Sequence, residues 1–206
     1  MIDPGALLAW SALALIVTLT PGPDTLLVAS HGARAGARAG MAAVAGIMTG
    51  VLWYGSLIAF GALSILVAVP ALFLAVKIAG ALYLAWLGAG MIWSAWKGRQ
   101  GKAKARALDL KQPYAQGFFT NALNPKVALF YLAALPQFAS GENAPLVGVM
   151  LLGIHAVFGF LWLSFIAFAA ARARTIAWNS VVVRWLEGAV GAFFVAIAGR
   201  LVVEQR

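Results

Sequence analysis

Two helix-breaking prolines stand beside charged residues inside long apolar runs, once in each half of the chain, and they restrict its fold more than any other feature. The first apolar run contains Thr20-Pro21-Gly22-Pro23-Asp24, and the fourth contains Asn121-Ala122-Leu123-Asn124-Pro125-Lys126. In hydrocarbon a broken helix frees N–H and C=O groups that no water can satisfy. Such a break persists only where it is buried in protein or lines a cavity. Corresponding breaks in two halves point to a solute site between them.

Composition places these runs in hydrocarbon. Hydrophobic residues make up 63% of the chain and charged residues 10%, with a mean hydropathy of +0.91. Ordinary soluble domains are roughly half apolar and about a quarter charged. A chain of 206 residues holds about six spans of about 20 residues with short connections and no separate soluble domain. The apolar runs cover residues 6–29, 42–69, 71–96, 117–138, 146–171 and 181–203. The expected fold is therefore an all-α integral membrane protein with six transmembrane helices, forming a single transmembrane domain over residues 1–206. Pro70 marks a very short link, which predicts a tight hairpin of the second and third helices. The first run lacks a basic leader, and Pro21-Gly22-Pro23-Asp24 does not resemble a small-residue cleavage site, so it is read as an uncleaved span. With no Cys in the chain, disulfides, thiol catalysis and Cys-based metal sites are excluded. No metal site and no cofactor are expected.

The polar stretch 97–112 divides the chain into a first repeat of about 1–97, a loop of about 97–113 and a second repeat of about 114–206. Three helices per half is an odd number, so two halves of like fold must enter the membrane in opposite directions, as inverted repeats. Pro23 and Asp24 precede Pro125 and Lys126 by one interval, which also relates Gly46 to Gly148.

The formal charge of +9 does not call for nucleic acid, because its placement suits orientation. Arg34 and Arg38 lie in the first connection, Lys97, Arg99, Lys102, Lys104, Arg106 and Lys111 in the third, and Arg172, Arg174 and Arg184 in or beside the fifth. The second and fourth have none. The positive-inside rule then puts both termini outside and the Lys-rich loop in the cytoplasm. Trp93 and Trp96 beside Lys97, and Trp178 and Trp185 around Arg184, fit an aromatic belt at that interface.

Asp24 and Lys126 are the leading site residues. A charge near the bilayer centre costs about 3 kcal/mol on insertion scales, so each should face the interior with a partner or a task. One reading is a pair that meets a zwitterion, Asp24 taking the ammonium and Lys126 the carboxylate. The other is a permanent Asp24–Lys126 salt bridge joining the two breaks. Half-helices restarting after Pro23 and Pro125 would aim positive N-terminal ends at an anionic group, with Asn124 as N-cap. The candidate substrate-binding set is Asp24, Lys126, Asn124, Asn121, Pro21, Gly22, Pro23 and Pro125, with Thr20, Lys77 and Tyr83 as secondary members.

Lys77 lies roughly 10 Å along its helix from Pro70, within snorkelling distance of the surface. His155, alone in the fifth run, is either a hydrogen-bonded packing residue or a proton carrier. Glu187, three residues after Arg184, suggests an interfacial ion pair. Glycines 36, 40, 46, 50 and 55 form a small-residue stripe suited to close helix packing, with a homodimer contact as its second use. The repeat from Gly32 to Gly40 reads as a cytoplasmic helix extension that sets Arg34 and Arg38 at i, i+4.

Together these motifs resemble the LysE/RhtB family of amino-acid exporters. The resemblance spans nearly the whole chain. It is carried by Thr20-Pro21-Gly22-Pro23-Asp24, by Gly40 through Gly46 with Gly50, and by Lys77-x-x-Gly80-x-x-Tyr83-Leu84-x-x-Leu87-Gly88. The most specific motif is Gly117-Phe118-x-x-Asn121-x-x-Asn124-Pro125-Lys126-x-x-x-Phe130 with Pro136-Gln137-Phe138 after it, and Gly188 and Gly199-Arg200-Leu201 complete the match. The resemblance implies two inverted triplets in the inner membrane and proton-driven export of amino acids. Asp24 would be the coupling group, with His155 second. No other acid is placed deep in the core, which favours a neutral substrate such as threonine, homoserine or leucine. An ion or metabolite permease on the same scaffold is the competing class. An enzyme is disfavoured, since no second carboxylate, Ser-His set or metal cluster accompanies Asp24 and His155.

Overall fold

The computed structural model describes residues 3–60, 69–97, 110–139, 143–177 and 180–203, and among these every regular element is an α-helix. In chain order they are α1 (Pro4–Leu19), α2 (Pro23–Ala35), α3 (Ala37–Ala59), α4 (Pro70–Lys97), α5 (Lys111–Ala122), α6 (Pro125–Phe138), α7 (Ala144–Ala177) and α8 (Ser180–Val203). By length and composition α3, Ile78–Lys97 of α4 and Ala144–Ala173 of α7 can each cross a membrane, and the bent pair α1 and α2 makes a fourth candidate. The apolar stretches Lys126–Phe138 and Gly188–Arg200 are shorter.

Both breaks fall at the proline motifs, for a local reason. A residue before proline is pushed out of the helical region. Thr20, before Pro21, has ψ 118, and Gly22, before Pro23, is fully extended at φ −161, ψ −175. The axes of α1 and α2 consequently differ by 49°. Asn124, before Pro125, has ψ 109, and α6 restarts with Pro125 in its first turn. The expected helix extension through Gly32–Gly40 is cut in two. Gly36 sits at φ 89, a conformation that favours glycine, so α2 ends at Ala35, and Arg34 and Arg38 lie on different helices instead of one i, i+4 face.

Glycines set the crossings. Gly46 presses on the backbone of Tyr114 and Phe118 while Gly117 presses on the Ala43 carbonyl, so α3 and α5 meet backbone to backbone. Gly32 and Gly40 bring α2 and α3 against Ala167 of α7, and Gly88 and Gly191 do the same for α4 and α8. Gly50 receives the side chain of Asn121, and Gly55 faces Leu152. The predicted stripe thus serves packing within the chain, as small residues do between membrane helices.

The buried side chains fall into three clusters. One unites α1, α6, the C-terminal half of α3 and the N-terminal part of α7 around Trp10, Tyr54, Tyr131 and Leu151. A second joins α2, α3 and α7 through Val28, Val44, Ile47, Leu163 and Ala167. The third packs α4 on α8, with Leu27 of α2 inserted. Trp10, fully buried, packs on Phe130 and Phe138 with ring centroids at 5.2 and 5.4 Å and donates Nε1–H to the Leu151 carbonyl at 2.8 Å. Trp10→Phe should lower stability by about 1 kcal/mol, a drop of a few degrees in Tm for a chain of this size. A thermal melt in detergent checks it, and an unchanged Tm would mean the tie carries no net energy.

At the C-terminal end of α4, the Lys97 ammonium lies 4.2 Å from the ring centroid of exposed Trp93, next to exposed Trp96. The link before Pro70, the central loop from 98 to 109, and the side chains of Lys77, Trp178, Arg184 and Glu187 lie outside the described residues.

Candidate functional site

Pro23 occupies the first helical position of α2 and has no N–H to satisfy, which leaves Asp24 in the first turn. An acidic side chain is favoured there by the unpaired amides and the helix dipole. Its Oδ2 accepts a hydrogen bond from Asn121 Nδ2 at 2.7 Å, in the last turn of α5. Its Oδ1 is buried with no partner among the described residues. In the other break Asn124 caps α6, its Oδ1 accepting from the Lys126 backbone N–H at 3.0 Å, as its sequence position predicts.

Lys126 crosses the gap. Its ammonium donates to the Thr20 carbonyl at 2.7 Å and the Val17 carbonyl at 2.9 Å. These belong to the last turn of α1 and the residue that ends it, where carbonyls lack intrahelical partners and the dipole is negative. The absence of a side chain at Gly22 leaves the lysine stem room to pass, with the ammonium 3.6 Å from where a Cβ would stand. The predicted Asp24–Lys126 salt bridge is not among the contacts of the described residues. Instead each charge is held by the first half of the opposite broken pair. Tyr54 completes the pattern by donating to the Ala122 carbonyl at 3.1 Å, at the end of α5. An ammonium carries three donors, so a third remains beyond the two carbonyl bonds.

The two breaks open on one cavity of about 530 Å³, its mouth included. Thr20, Gly22, Asp24, Asn121, Asn124, Lys126 and His155 all line it, so the structure gathers most of the sequence-derived set. Pro21 is exposed at the break. Tyr83 is spent elsewhere, donating to the Gln116 carbonyl at 3.2 Å and packing on the α4–α8 cluster. His155 Nδ1 pairs with the Tyr131 hydroxyl at 2.7 Å, and its ring meets Phe130 edge-on. It is both a hydrogen-bonded packing residue and part of the cavity wall.

Sequence reading missed Thr18, Met48, Gly159 and Trp162, which also line the cavity. The signal for the last two was present, since His155, Gly159, Trp162 and Leu163 recur at i, i+4, i+7 and i+8 on one face of α7. Four buried polar atoms of cavity-lining residues have no partner among the described residues: Thr18 Oγ1, Asp24 Oδ1, Asn121 Oδ1 and Trp162 Nε1. Each such atom costs about 1–3 kcal/mol, a cost that a ligand with matching groups removes. Thr25 adds a further hydroxyl to the wall, and the rest is apolar, from Val17, Ile47, Met48, Val51, Val127 and Leu163. Among the described residues no cluster of His, Cys, Asp and Glu suits a metal ion.

A protein-family model described as LysE type translocator matches residues 15–205. The chain is 34% identical over 196 residues to an uncharacterized membrane protein of Pseudomonas aeruginosa, covering 91% of this chain and 90% of the relative. It is 29% identical over 202 residues to a leucine efflux protein of Enterobacter sp., covering 96% of each, and 28% identical over 195 residues to a leucine efflux protein of Klebsiella pneumoniae, covering 93% of this chain and 92% of the relative. No solved structure matches.

Proposed function

Because this chain belongs to the LysE type translocator family, we propose that its central cavity binds a neutral amino acid and exports it across the inner membrane by proton-coupled alternating access. One observation carries the reading. A carboxylate with an unpartnered oxygen and an ammonium with a third donor line the same cavity, each hydrogen-bonded to other groups among the described residues. That is the complement of a zwitterion. The substrate ammonium would sit between Asp24 Oδ1 and Asn121 Oδ1, and its carboxylate at Lys126 by the N-terminal turn of α6. The side chain would lie along Ile47, Met48 and Val51. Among the described residues no acid besides Asp24 lines the cavity, which favours a neutral side chain, and the leucine efflux relatives agree with that choice.

Coupling follows if Asp24 holds either the ammonium or a proton, with His155 as the second candidate carrier. Rocking of two inverted triplets about the site would alternate its access. The packing supports a twofold relation: α3 lies on α5 as α7 lies on α1 and α2, and α4 pairs with α8. The basic connections support a cytoplasmic central loop and outer termini. A homodimer remains the proposed assembly only as a second use of small-residue surfaces.

Efflux from proteoliposomes loaded with labelled neutral, hydroxylated and cationic amino acids tests the reading. Saturable efflux of the neutral group, stimulated by an inward proton gradient, is the expected result. No efflux of any member from folded protein would overturn it and direct the search to ions and other metabolites.

A further inference from the structure

We propose that His31, held in one tautomer by Gln116, carries the coupling proton from Asp24 out to the cytoplasm. The proposal rests on the proton-coupled reading above and supplies its exit path. His31 follows Asp24 by seven residues on α2. That is about two turns, so the two share a face and stand about 10.5 Å apart along the axis at 1.5 Å per residue. The face lies on α5, where Asn121 bonds Asp24 at 2.7 Å and Gln116 bonds the His31 ring at 2.8 Å. The atoms of the second bond are the imidazole Nε2 and the Gln116 amide oxygen. An amide oxygen only accepts, so Nε2 carries the hydrogen and Nδ1 is the basic nitrogen.

Polar groups also stand between these two pairs. Thr120 is next to Asn121 and one turn from Gln116, is 1% exposed, and its hydroxyl has no partner among the described residues. A hydroxyl both accepts and donates, as a proton relay requires. From α4 the Tyr83 hydroxyl reaches the same stretch, donating to the Gln116 carbonyl at 3.2 Å. Past His31 the path is short, because Arg34, one turn on, is exposed and bonds Ser94 Oγ at 3.5 Å. The other helices on α2 bring no charge to this level: Gly40 of α3 with Ala167 and Ala170 of α7 closes on Gly32, and Val190 and Phe194 of α8 pack with Leu27. Among the described side chains the acids are Asp3 and Asp24, so none is placed to pair with the imidazole, and with Arg34 beside it His31 passes a proton on instead of storing it. His155 suits this exit less, since its Nδ1 is tied to Tyr131 and it lies 17 residues before Arg172, about 25 Å along α7. In the step itself the Asp24 O–H bond breaks, the Thr120 hydroxyl and water entering the seam pass the proton on, and an Nδ1–H bond forms on His31. The imidazolium then loses that proton to cytoplasmic water, and the Asp24 carboxylate is ready for the solute ammonium.

The test separates two fluxes of labelled leucine in proteoliposomes. Leucine-for-leucine exchange at equal pH needs only an ionised Asp24, whereas net efflux driven by a proton gradient needs Asp24 to lose a proton in every cycle. His31→Gln keeps a donor for the Gln116 oxygen and cannot carry a proton. It should hold exchange within about twofold of wild type and lose net efflux at least about tenfold, the low side of what a positioned proton carrier contributes. Net efflux kept by this variant, or exchange lost in step with it, overturns the proposal and leaves His31 a packing role. Gln116→Glu tests the same group should His31→Gln not fold. A carboxylate on Nε2–H favours the charged ring, so the internal pH at which net efflux is half-maximal should rise by about one unit, and an unmoved profile overturns the proposal as well. Wild type that exchanges leucine without any response to a proton gradient would overturn the coupling on which the proposal rests, whereas absence of exchange of leucine, threonine and homoserine alike would be the failure of the amino-acid reading itself.

Discussion

Export by Asp24→Asn is expected to fall by about a hundredfold or more, and the residual flux should no longer respond to a proton gradient. The substitution keeps the shape of the side chain and an oxygen that can accept from Asn121 Nδ2, the bond that Asp24 Oδ2 makes at 2.7 Å. It removes the charge for the substrate ammonium and the group that carries the proton. Breaking one partner of a desolvated charge pair costs about 3–5 kcal/mol, and each 1.4 kcal/mol is tenfold. Folding should survive, because a neutral amide is less costly at this depth than a carboxylate. Efflux with and without a gradient, beside a thermal melt, separates the two effects. Wild-type, gradient-stimulated efflux from this variant would remove Asp24 from the mechanism.

The second large effect is structural. Gly46→Ala is expected to abolish a folded, monodisperse protein, whereas Gly153→Ala should be tolerated. The chemical change is a single methyl in both. At Gly46 that methyl would overlap the Tyr114 carbonyl and crowd the Phe118 amide, both backbone atoms of α5 with no side-chain torsion to relieve them. Separating α3 from α5 would also withdraw Gly50 from Asn121 and so loosen the hold on Asp24. At Gly153 nothing stands within 4 Å of the new methyl. Overpacking commonly costs about 1–3 kcal/mol where side chains can yield, and more is expected where only backbone is met. Size-exclusion profiles of the two variants, expressed side by side, settle the matter, and a normal profile for Gly46→Ala would mean the α3–α5 crossing is far softer than its contacts imply.

Much of the site was legible in the sequence because proline acts locally. Pro21, Pro23 and Pro125 fix where helices stop whatever surrounds them, and Asn124 caps by its position alone. Asp24 and Lys126 could be assigned to an interior because hydrocarbon leaves a charge few alternatives. Their actual partners were not legible. Whether Lys126 meets a carboxylate or the carbonyls of Val17 and Thr20 depends on how two distant helix ends are juxtaposed, and no local rule carries that information. Gly36 shows a different limit, since a glycine in a run of good helix formers reads equally as small-residue packing or as the turn it proves to be. Trp162 and Gly159 were missed for a third reason. The face they share with His155 emerges only at a period of 3.6, while the long apolar run of α7 has hydrophobic residues all round and so gives that face no contrast.

The crossed hydrogen bonds also impose an order on how the protein is made. Asp24 and Asn121 are 97 residues apart, and at about 5–20 residues per second of synthesis their meeting is delayed by roughly 5–20 s. Throughout that interval the first broken helix has a carboxylate lacking Asn121 and carbonyls at Val17 and Thr20 lacking the lysine that will hold them. The first half thus meets the partners of its buried polar groups only when α5 and α6 have been made.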